Sequence, residues 1–297
     1  MATIVEELEG TLRGVAERVG PSVVRIGRGW GRGTGVVLAD GLVLTNAHNL
    51  RGEETTVAFA DGRSATATVR GVDQDGDVVV LAVDTAGVAP IGWEPADTAL
   101  GTAVIALANP AGRGLRATLG FVSAVGQTFR GPRGRRIAGS IEHTAPLSRG
   151  SSGGPVVDAA GRLVGINTNR LGEGFYLAIP ADADLKARVD ALARGESPAR
   201  PRLGVALAPR HAARRLRAAV GLPERDGLLV RAVDADSPAG RAGIRAGDLL
   251  VDAAGTALTT ADELFEALDR VGGAALTLHV VRGVEELEVT VTFDTAA

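Results

Sequence analysis

Gly150-Ser151-Ser152-Gly153-Gly154-Pro155 is the stretch whose reading decides the fold. Its glycines leave the backbone free to turn N–H groups toward a ligand and to adopt dihedrals closed to other residues. Pro155 stiffens the exit into an apolar pair, Val156-Val157. A serine presented this way attacks a carbonyl when a base lies beside it, and the neighbouring N–H groups receive the developing oxyanion. Alone, such a hexapeptide also reads as a plain loop. The rest of the chain has to supply the base.

Upstream, Thr45-Asn46-Ala47-His48 closes the apolar run Gly41-Leu42-Val43-Leu44, and Asp77 opens another, Val78-Val79-Val80-Leu81. A histidine that ends a strand and a carboxylate that begins one can converge on a shared cleft. The order His48, Asp77, Ser152 is that of chymotrypsin-like enzymes and differs from the orders of subtilisins and α/β-hydrolases. Asp73 and Asp75 are nearby alternatives for the carboxylate, and they read as solvated loop residues because only Asp77 abuts the apolar strand. Ser151 is the alternative nucleophile.

With these pieces on view, the chain resembles the HtrA (Deg) family of trypsin-fold serine proteases with a C-terminal PDZ domain. The resemblance runs from about 15 to 293. It is carried by Gly20-Pro21-Ser22-Val23-Val24-Arg25-Ile26, Gly33-Thr34-Gly35-Val36-Val37-Leu38 and Leu44-Thr45-Asn46-Ala47-His48. It continues through Ala108-Asn109-Pro110, Gly120-Phe121-Val122-Ser123-Ala124, Val164-Gly165-Ile166-Asn167-Thr168 and Phe175-Tyr176-Leu177-Ala178-Ile179-Pro180.

The resemblance implies Ser152 as nucleophile, His48 as general base and Asp77 as the group that orients the imidazole. It implies an oxyanion hole from the backbone N–H groups of Gly150, Ser151 and Ser152. A specificity pocket would involve Leu147, Ile166, Asn167 and Thr168, with Leu147 as an apolar floor. No Asp or Glu lies in 144–149, so the expected cleavage follows small or medium aliphatic residues in unfolded chains. Several positions depart from the family pattern: Asn49 stands where an apolar residue is usual, Ser151 for Asn, Thr144 for Asp, Ala108 for Gly and Ala111 for Phe.

The expected fold is mainly β: a chymotrypsin-like double β-barrel domain over 1–194, a linker at 195–201 and an α+β PDZ domain over 202–297. Residues 22–180 read as short strands punctuated by Gly, Asp and Pro. The stretch 181–194, with Leu185, Val189 and Leu192, reads as a closing helix. Ile4, Leu8, Leu12, Val15 and Val19 form one helix face, which Gly20-Pro21 stops. That helix is expected either to cover the first barrel or to serve trimer contacts. The linker carries two prolines and no apolar period.

In the second unit Leu203, Gly204, Val205 and Ala206 resemble a carboxylate-binding loop and its strand, and Leu264 and Leu268 lie on one face of a helix over 260–270. These are the expected walls of a groove for C-terminal peptides. The basic run Arg130, Arg133, Arg135, Arg136 falls where related proteases have a sensor loop. One of these arginines is expected to bond carbonyls of the 146–151 loop. The loop after Asn109-Pro110 is short, which points to a homotrimer rather than a larger cage.

His143 stands too close to the nucleophile loop to read as a separate element. His211 sits beside a basic helix, and His279 reads as solvent-facing on a strand. No cluster has metal-ligand spacing, and no cofactor or metal is expected. The 297 residues carry no cysteine, a net charge of −3, 45% hydrophobic and 3% aromatic residues. Such a chain builds aliphatic cores, forms no disulfides and has no basic surface for nucleic acid. The N-terminus shows no basic n-region and no long apolar span. A cytoplasmic protein is the expectation as written, with the periplasm or cell envelope the alternative for a trimmed chain.

Overall fold

The computed structural model describes residues 3–28, 33–94, 98–110, 114–131, 136–170, 172, 174–198, 201–271 and 274–293, without the side chains of residues 210, 211 and 214. Contacts divide the chain into two units, Met1–Pro198 and Ala199–Ala297. The division lies inside the proline-bearing stretch 195–201.

The first unit opens with helix α1, Ile4–Val19. Thr3 and Glu6 cap it reciprocally: the Thr3 hydroxyl accepts from the Glu6 N–H and the Glu6 carboxylate accepts from the Thr3 N–H. Six strands follow, β1 (Val23–Ile26), β2 (Gly33–Ala39), β3 (Leu42–Thr45), β4 (Glu54–Ala58), β5 (Ser64–Asp73) and β6 (Val78–Ala82). They close into an antiparallel barrel in the order β1-β2-β3-β6-β5-β4. Six more close a second barrel: β7 (Ala103–Ala108), β8 (Arg116–Arg130), β9 (Arg136–His143), β10 (Pro155–Val157), β11 (Leu163–Arg170) and β12 (Tyr176–Pro180), in the order β10-β11-β12-β9-β8-β7. Closure leaves no free sheet edge in either.

Alternation along these strands assigns two kinds of core. Val24, Ile26, Val37, Val43 and Leu81 pack together on one face of the first-barrel strands, and Val104, Ala106, Val122, Ile141 and Val156 do so on the second. The opposite faces meet each other: Val36, Leu44 and Val80 join Ile105, Val157 and Ile166 in one cluster. Each such side chain contributes about 1.5–3 kcal/mol on burial, so the seam is held mainly by aliphatic side chains, with Trp93 partly buried against it.

Two helices seal that cluster. Helix α2 (Ala183–Ala193), N-capped by Asp182, buries Leu185, Val189 and Leu192 and packs on β5 and β6 of the first barrel. Helix α1 packs on β7 and β8 of the second barrel, with Arg18 donating to the Ala160 carbonyl at 3.1 Å. This corrects the expectation that α1 covers the first barrel. Val15 and Val19 are buried, whereas Ile4 is 85% exposed and Leu8 40%. The apolar face is thus used only over its last turns.

The second unit comprises β13 (Val205–Leu207), α3 (Arg210–Ala219), β14 (Leu228–Val233), α4 (Pro238–Arg241), β15 (Leu249–Ala253), β16 (Thr256–Ala257), α5 (Ala261–Val271), β17 (Leu276–Arg282) and β18 (Glu285–Val291). The sheet runs β13-β14-β15-β17-β18, with β16 on β15, so β13 is an edge strand. Leu264 and Leu268 of α5 are buried with Leu203, Val230, Leu250 and Leu278 in the core of this unit. Asp248 is buried and bonded by Arg282 through Nε and Nη2, both at 2.8 Å. His211 lies within α3 rather than beside it. His279 is half exposed, 3.5 Å from Glu288.

Candidate active site

The site lies where the two barrels meet. Antiparallel pairing of β3 with β6 sets Thr45 opposite Val79, so the residues just beyond the paired ends, His48 and Asp77, come together. His48 sits on a short 3₁₀ turn, Ala47–Asn49. Its Nδ1 is 2.8 Å from Oδ2 and 3.0 Å from Oδ1 of Asp77, and its own N–H donates to Oδ1 at 3.1 Å. Asp77 is fully buried. Its backbone takes a left-handed conformation, φ +56°, and its carbonyl accepts from Asn46 Nδ2 at 2.9 Å. A non-glycine residue held there is strained by about 1–3 kcal/mol, which the surrounding bonds have to offset.

The second barrel supplies a further donor to that carboxylate: Thr168 Oγ1 of β11 donates to Asp77 Oδ2 at 2.8 Å. With the ring N–H pointed at Asp77, His48 Nε2 carries the lone pair a general base needs. The His48 side chain is 29% exposed, so a substrate reaches it.

Asp73 corrects the reading of it as a solvated loop residue. It is the last residue of β5 and buried, and it accepts from Gly76 N–H at 2.9 Å and from Arg188 Nη1 of α2 at 3.3 Å. It shapes the turn that delivers Asp77. Hydropathy alone could not show this, because the ion partner lies on a helix far along the chain.

The nucleophile loop joins β9 to β10. Ser151 is buried and its carbonyl accepts from Gly154 N–H, while Ser152 is half buried. Only Ser152 therefore presents its hydroxyl to the cleft. The Ser151 N–H donates to the Ser148 carbonyl at 3.3 Å. The N–H groups of Gly150 and Ser152 have no acceptor among the described residues. They are the pair that remains for an oxyanion, and Ser151 leaves that set. Gly153 has φ +89°, and a Cβ there would lie 2.1 Å from the Thr34 carbonyl oxygen. No side chain fits.

First-barrel residues clamp this loop. The Ser152 carbonyl accepts from Thr34 N–H at 2.8 Å and from Asn49 Nδ2 at 2.9 Å. Thr34 Oγ1 donates to the Gly150 carbonyl at 2.8 Å. Sequence reading gave neither Thr34 nor Asn49 a role. The available signal was Asn49 itself, a polar residue where an apolar one is usual and here 1% exposed. The Ser152 hydroxyl donates to the Thr168 carbonyl at 2.8 Å and makes no hydrogen bond to His48 among the described residues.

Of the expected pocket residues, Leu147 is half buried against the second-barrel core. Asn167 and Thr168 are buried and committed to polar bonds, Asn167 through Gly154 and His143. Ile166 is 0% exposed in the inter-barrel core and offers no pocket surface, which corrects its assignment. Its side chain points opposite to that of Asn167 by strand alternation. Of the basic run, Arg130 and Arg136 face each other as the last and first residues of β8 and β9, whereas Arg133 and Arg135 lie outside the described residues. Beside them, Gly131 approaches the Asp75 carbonyl, on the turn before Asp77.

In the second unit, the Leu203 carbonyl accepts from Ala239 N–H and the Gly204 carbonyl from Asp234 N–H. The N–H groups of Leu203 and Gly204 have no acceptor among the described residues. They lead into edge strand β13, with Val205 half buried and Ala206 exposed. Leu264 and Leu268 are 2% exposed, so both are core, and they present no open groove wall.

No group of histidine, cysteine, aspartate or glutamate suited to a metal occurs among the described residues. Residues 33–166, which contain His48, Asp77 and Ser152, match the family described as a trypsin-like peptidase domain, and residues 229–282 match the PDZ domain. The chain is 34% identical over 280 residues to the putative serine protease HhoA of Synechocystis, covering 88% of this chain and 70% of that protein.

The chain belongs to the HtrA family. It is an HtrA-type serine endoprotease with a trypsin-like peptidase domain and a PDZ domain. A probable periplasmic DegP-like serine endoprotease of Halomonas elongata is 33% identical over 269 residues, covering 88% of this chain and 56% of that protein. The chain thus spans little more than half the length of that relative. Among solved structures, the HtrA-type protease AlgW with a tripeptide superposes with a TM-score of 0.59 at 27% identity, covering 96% of this HtrA chain and 97% of that one. No helix among the described residues is long and apolar enough to cross a membrane.

Proposed function

We propose that this HtrA protease is an ATP-independent quality-control enzyme that cleaves unfolded proteins after small or medium aliphatic residues. Ser152 Oγ attacks the scissile carbonyl and passes its proton to His48 Nε2. Asp77, hydrogen-bonded to Nδ1, holds the tautomer and stabilises the imidazolium. The N–H groups of Gly150 and Ser152 receive the oxyanion. The C–N bond then breaks as the imidazolium protonates the leaving amine, and water, deprotonated by His48, releases the acyl group. The carrying observation is the His48–Asp77 pair beside a hydroxyl flanked by two unpartnered N–H groups.

Aliphatic specificity rests on Leu147 and on the absence of any acidic residue in 144–149. The PDZ unit, reached through the 195–201 linker, takes the C-terminal carboxylate of a peptide on the Leu203 and Gly204 N–H groups and adds the peptide beside β13. The solved HtrA-type protease AlgW is described with a tripeptide, which supports peptide binding in general. Peptide binding regulates turnover in a homotrimer, with Arg130, Arg133, Arg135 and Arg136 in the relay. The DegP-like relative is named periplasmic, and this favours an extracytoplasmic compartment over the cytoplasmic expectation.

The test is degradation of an unfolded protein by wild type and Ser152→Ala, each with and without a hydrophobic C-terminal peptide. Cleavage by wild type alone, stimulated by peptide, is the expected result. The Ser152–Thr168 hydrogen bond favours a second reading, a peptide-binding protein whose triad is rarely assembled. Absence of cleavage in every arm, with peptide still bound, would establish it.

A further inference from the structure

His143 is a buried histidine that the catalytic steps do not use. It ends β9, opposite Val122 of β8 and Tyr176 of β12, and is 0% exposed. Its Nε2 lies 2.9 Å from Asn167 Oδ1, and its Nδ1 has no partner among the described residues. Asn167 in turn donates from Nδ2 to the Gly154 carbonyl at 3.2 Å. The Asn167 main chain grips the same loop, donating to the Gly154 carbonyl and accepting from Gly153 N–H. A chain of polar atoms thus runs from the imidazole to the loop that carries Ser152.

The protonation state follows from this chain. With Nδ2 spent as a donor on a carbonyl, Asn167 presents its oxygen to His143. The imidazole must then donate, so its proton is on Nε2 and Nδ1 holds a bare lone pair. The ring stacks on Tyr176 at 5.9 Å, and Arg170 lies over the far ring at 5.7 Å. The Glu142 carboxylate on the same strand is engaged by the Ser123 hydroxyl, and β8 presents Val122. None of these accepts a proton from Nδ1.

We propose that His143 is a positioning residue for the nucleophile loop: its neutral Nε2–H locks the Asn167 amide onto Gly154 and thereby keeps the Gly150 and Ser152 N–H groups in place for the oxyanion. Charging the ring puts an N–H at Nδ1 in a sealed site without an acceptor. The ring escapes only by opening the site, which releases Asn167 from Gly154. Activity therefore requires two neutral imidazoles, His48 as base and His143 as prop. Burial, the dominant influence on His143, holds its pKa below the ordinary imidazole value; the Asn167 bond and nearby Glu142 oppose it more weakly.

Two substitutions separate this role from packing. Glutamine places an N–H near the position of imidazole Nε2, whereas asparagine stops short of it. In cleavage of a peptide with an aliphatic P1 residue at pH 8, His143→Gln retains kcat within about threefold. His143→Asn loses about tenfold or more in kcat with little change in KM, as expected for one lost buried hydrogen bond at the loop. Ser152→Ala, inactive throughout, keeps failure of this idea distinct from failure of the serine chemistry. On acidification, reversible loss of kcat/KM follows two protons in wild type and one in His143→Gln. Equal kcat in both variants, or the same one-proton acid limb in wild type and His143→Gln, would overturn the proposal. Should His143→Asn fail to fold by circular dichroism, the acid limbs of the other two decide it.

Discussion

The two barrels bring halves of the site in different states of readiness. The first-barrel half is assembled: His48 and Asp77 exchange three contacts at 2.8–3.1 Å, and the carboxylate is sealed. The second-barrel half is held in place but not engaged. Its hydroxyl donates to a carbonyl of its own barrel, Thr168, instead of to the base. The difference follows from what each half rests on. His48 and Asp77 hang from adjacent, hydrogen-bonded strands, whereas Ser152 rides on a loop whose glycines carry no packing side chain. An acid–base pair can be built by strand register, while a nucleophile loop needs clamps from outside.

The comparison breaks most sharply at Asp77. Asp77→Asn leaves the fold intact but favours the wrong His48 tautomer, so kcat falls about 10⁴-fold in peptide cleavage. A loss of less than tenfold would show that the first-barrel half is not the organising one. The second-barrel half is tested at Gly153. Gly153→Ala forces a Cβ into the Thr34 carbonyl at positive φ, and labelling of Ser152 by a fluorophosphonate should fall about 100-fold or more while far-UV circular dichroism is unchanged.

Thr168 links the halves. Thr168→Val removes one donor from a buried carboxylate, at about 1–3 kcal/mol, or roughly 5- to 150-fold in kcat/KM. Asn49→Leu restores the apolar residue usual in the family but takes a donor from the Ser152 carbonyl, which Thr34 still holds. A loss of about fivefold in kcat is expected. An increase would mean that this clamp restrains the loop.

The smallest effect is on stability. His143 is held neutral in the fold, with its pKa lowered by burial. Its neutral form supports the fold fully above the unfolded imidazole pKa of about 6.5, and that support is lost as pH falls through the lowered folded value. Wild type should therefore lose a few degrees more in Tm than His143→Gln when pH drops from neutral into the mildly acidic range, at about 2–4 °C per kcal/mol. Parallel curves would remove His143 from the acid response.

Much of this was legible along the chain, because strand ends and glycine loops are local signals. Apolar runs ending at His48 and beginning after Asp77 placed both residues at paired strand termini, where the structure has them. The Leu185, Val189 and Leu192 period marked α2 for the same reason. What failed did so at partners distant in sequence. Asp73 reads as solvated until Arg188 of α2 arrives, and His143 reads as incidental until β11 brings Asn167 beside it. Ile166 was misassigned because alternation tells that neighbours face opposite ways, not which face is core.

The sequence by itself determined the order of catalytic residue types, the positions of turns, and which faces of strands and helices are apolar, since these depend on neighbours a few residues apart. Only the tertiary structure decided which backbone N–H groups are left open and which buried polar atoms share bonds. It also decided that α1 packs on the second barrel and α2 on the first. Those outcomes depend on where a buried donor finds its acceptor. A polar group removed from water must be satisfied by whatever the fold brings to it.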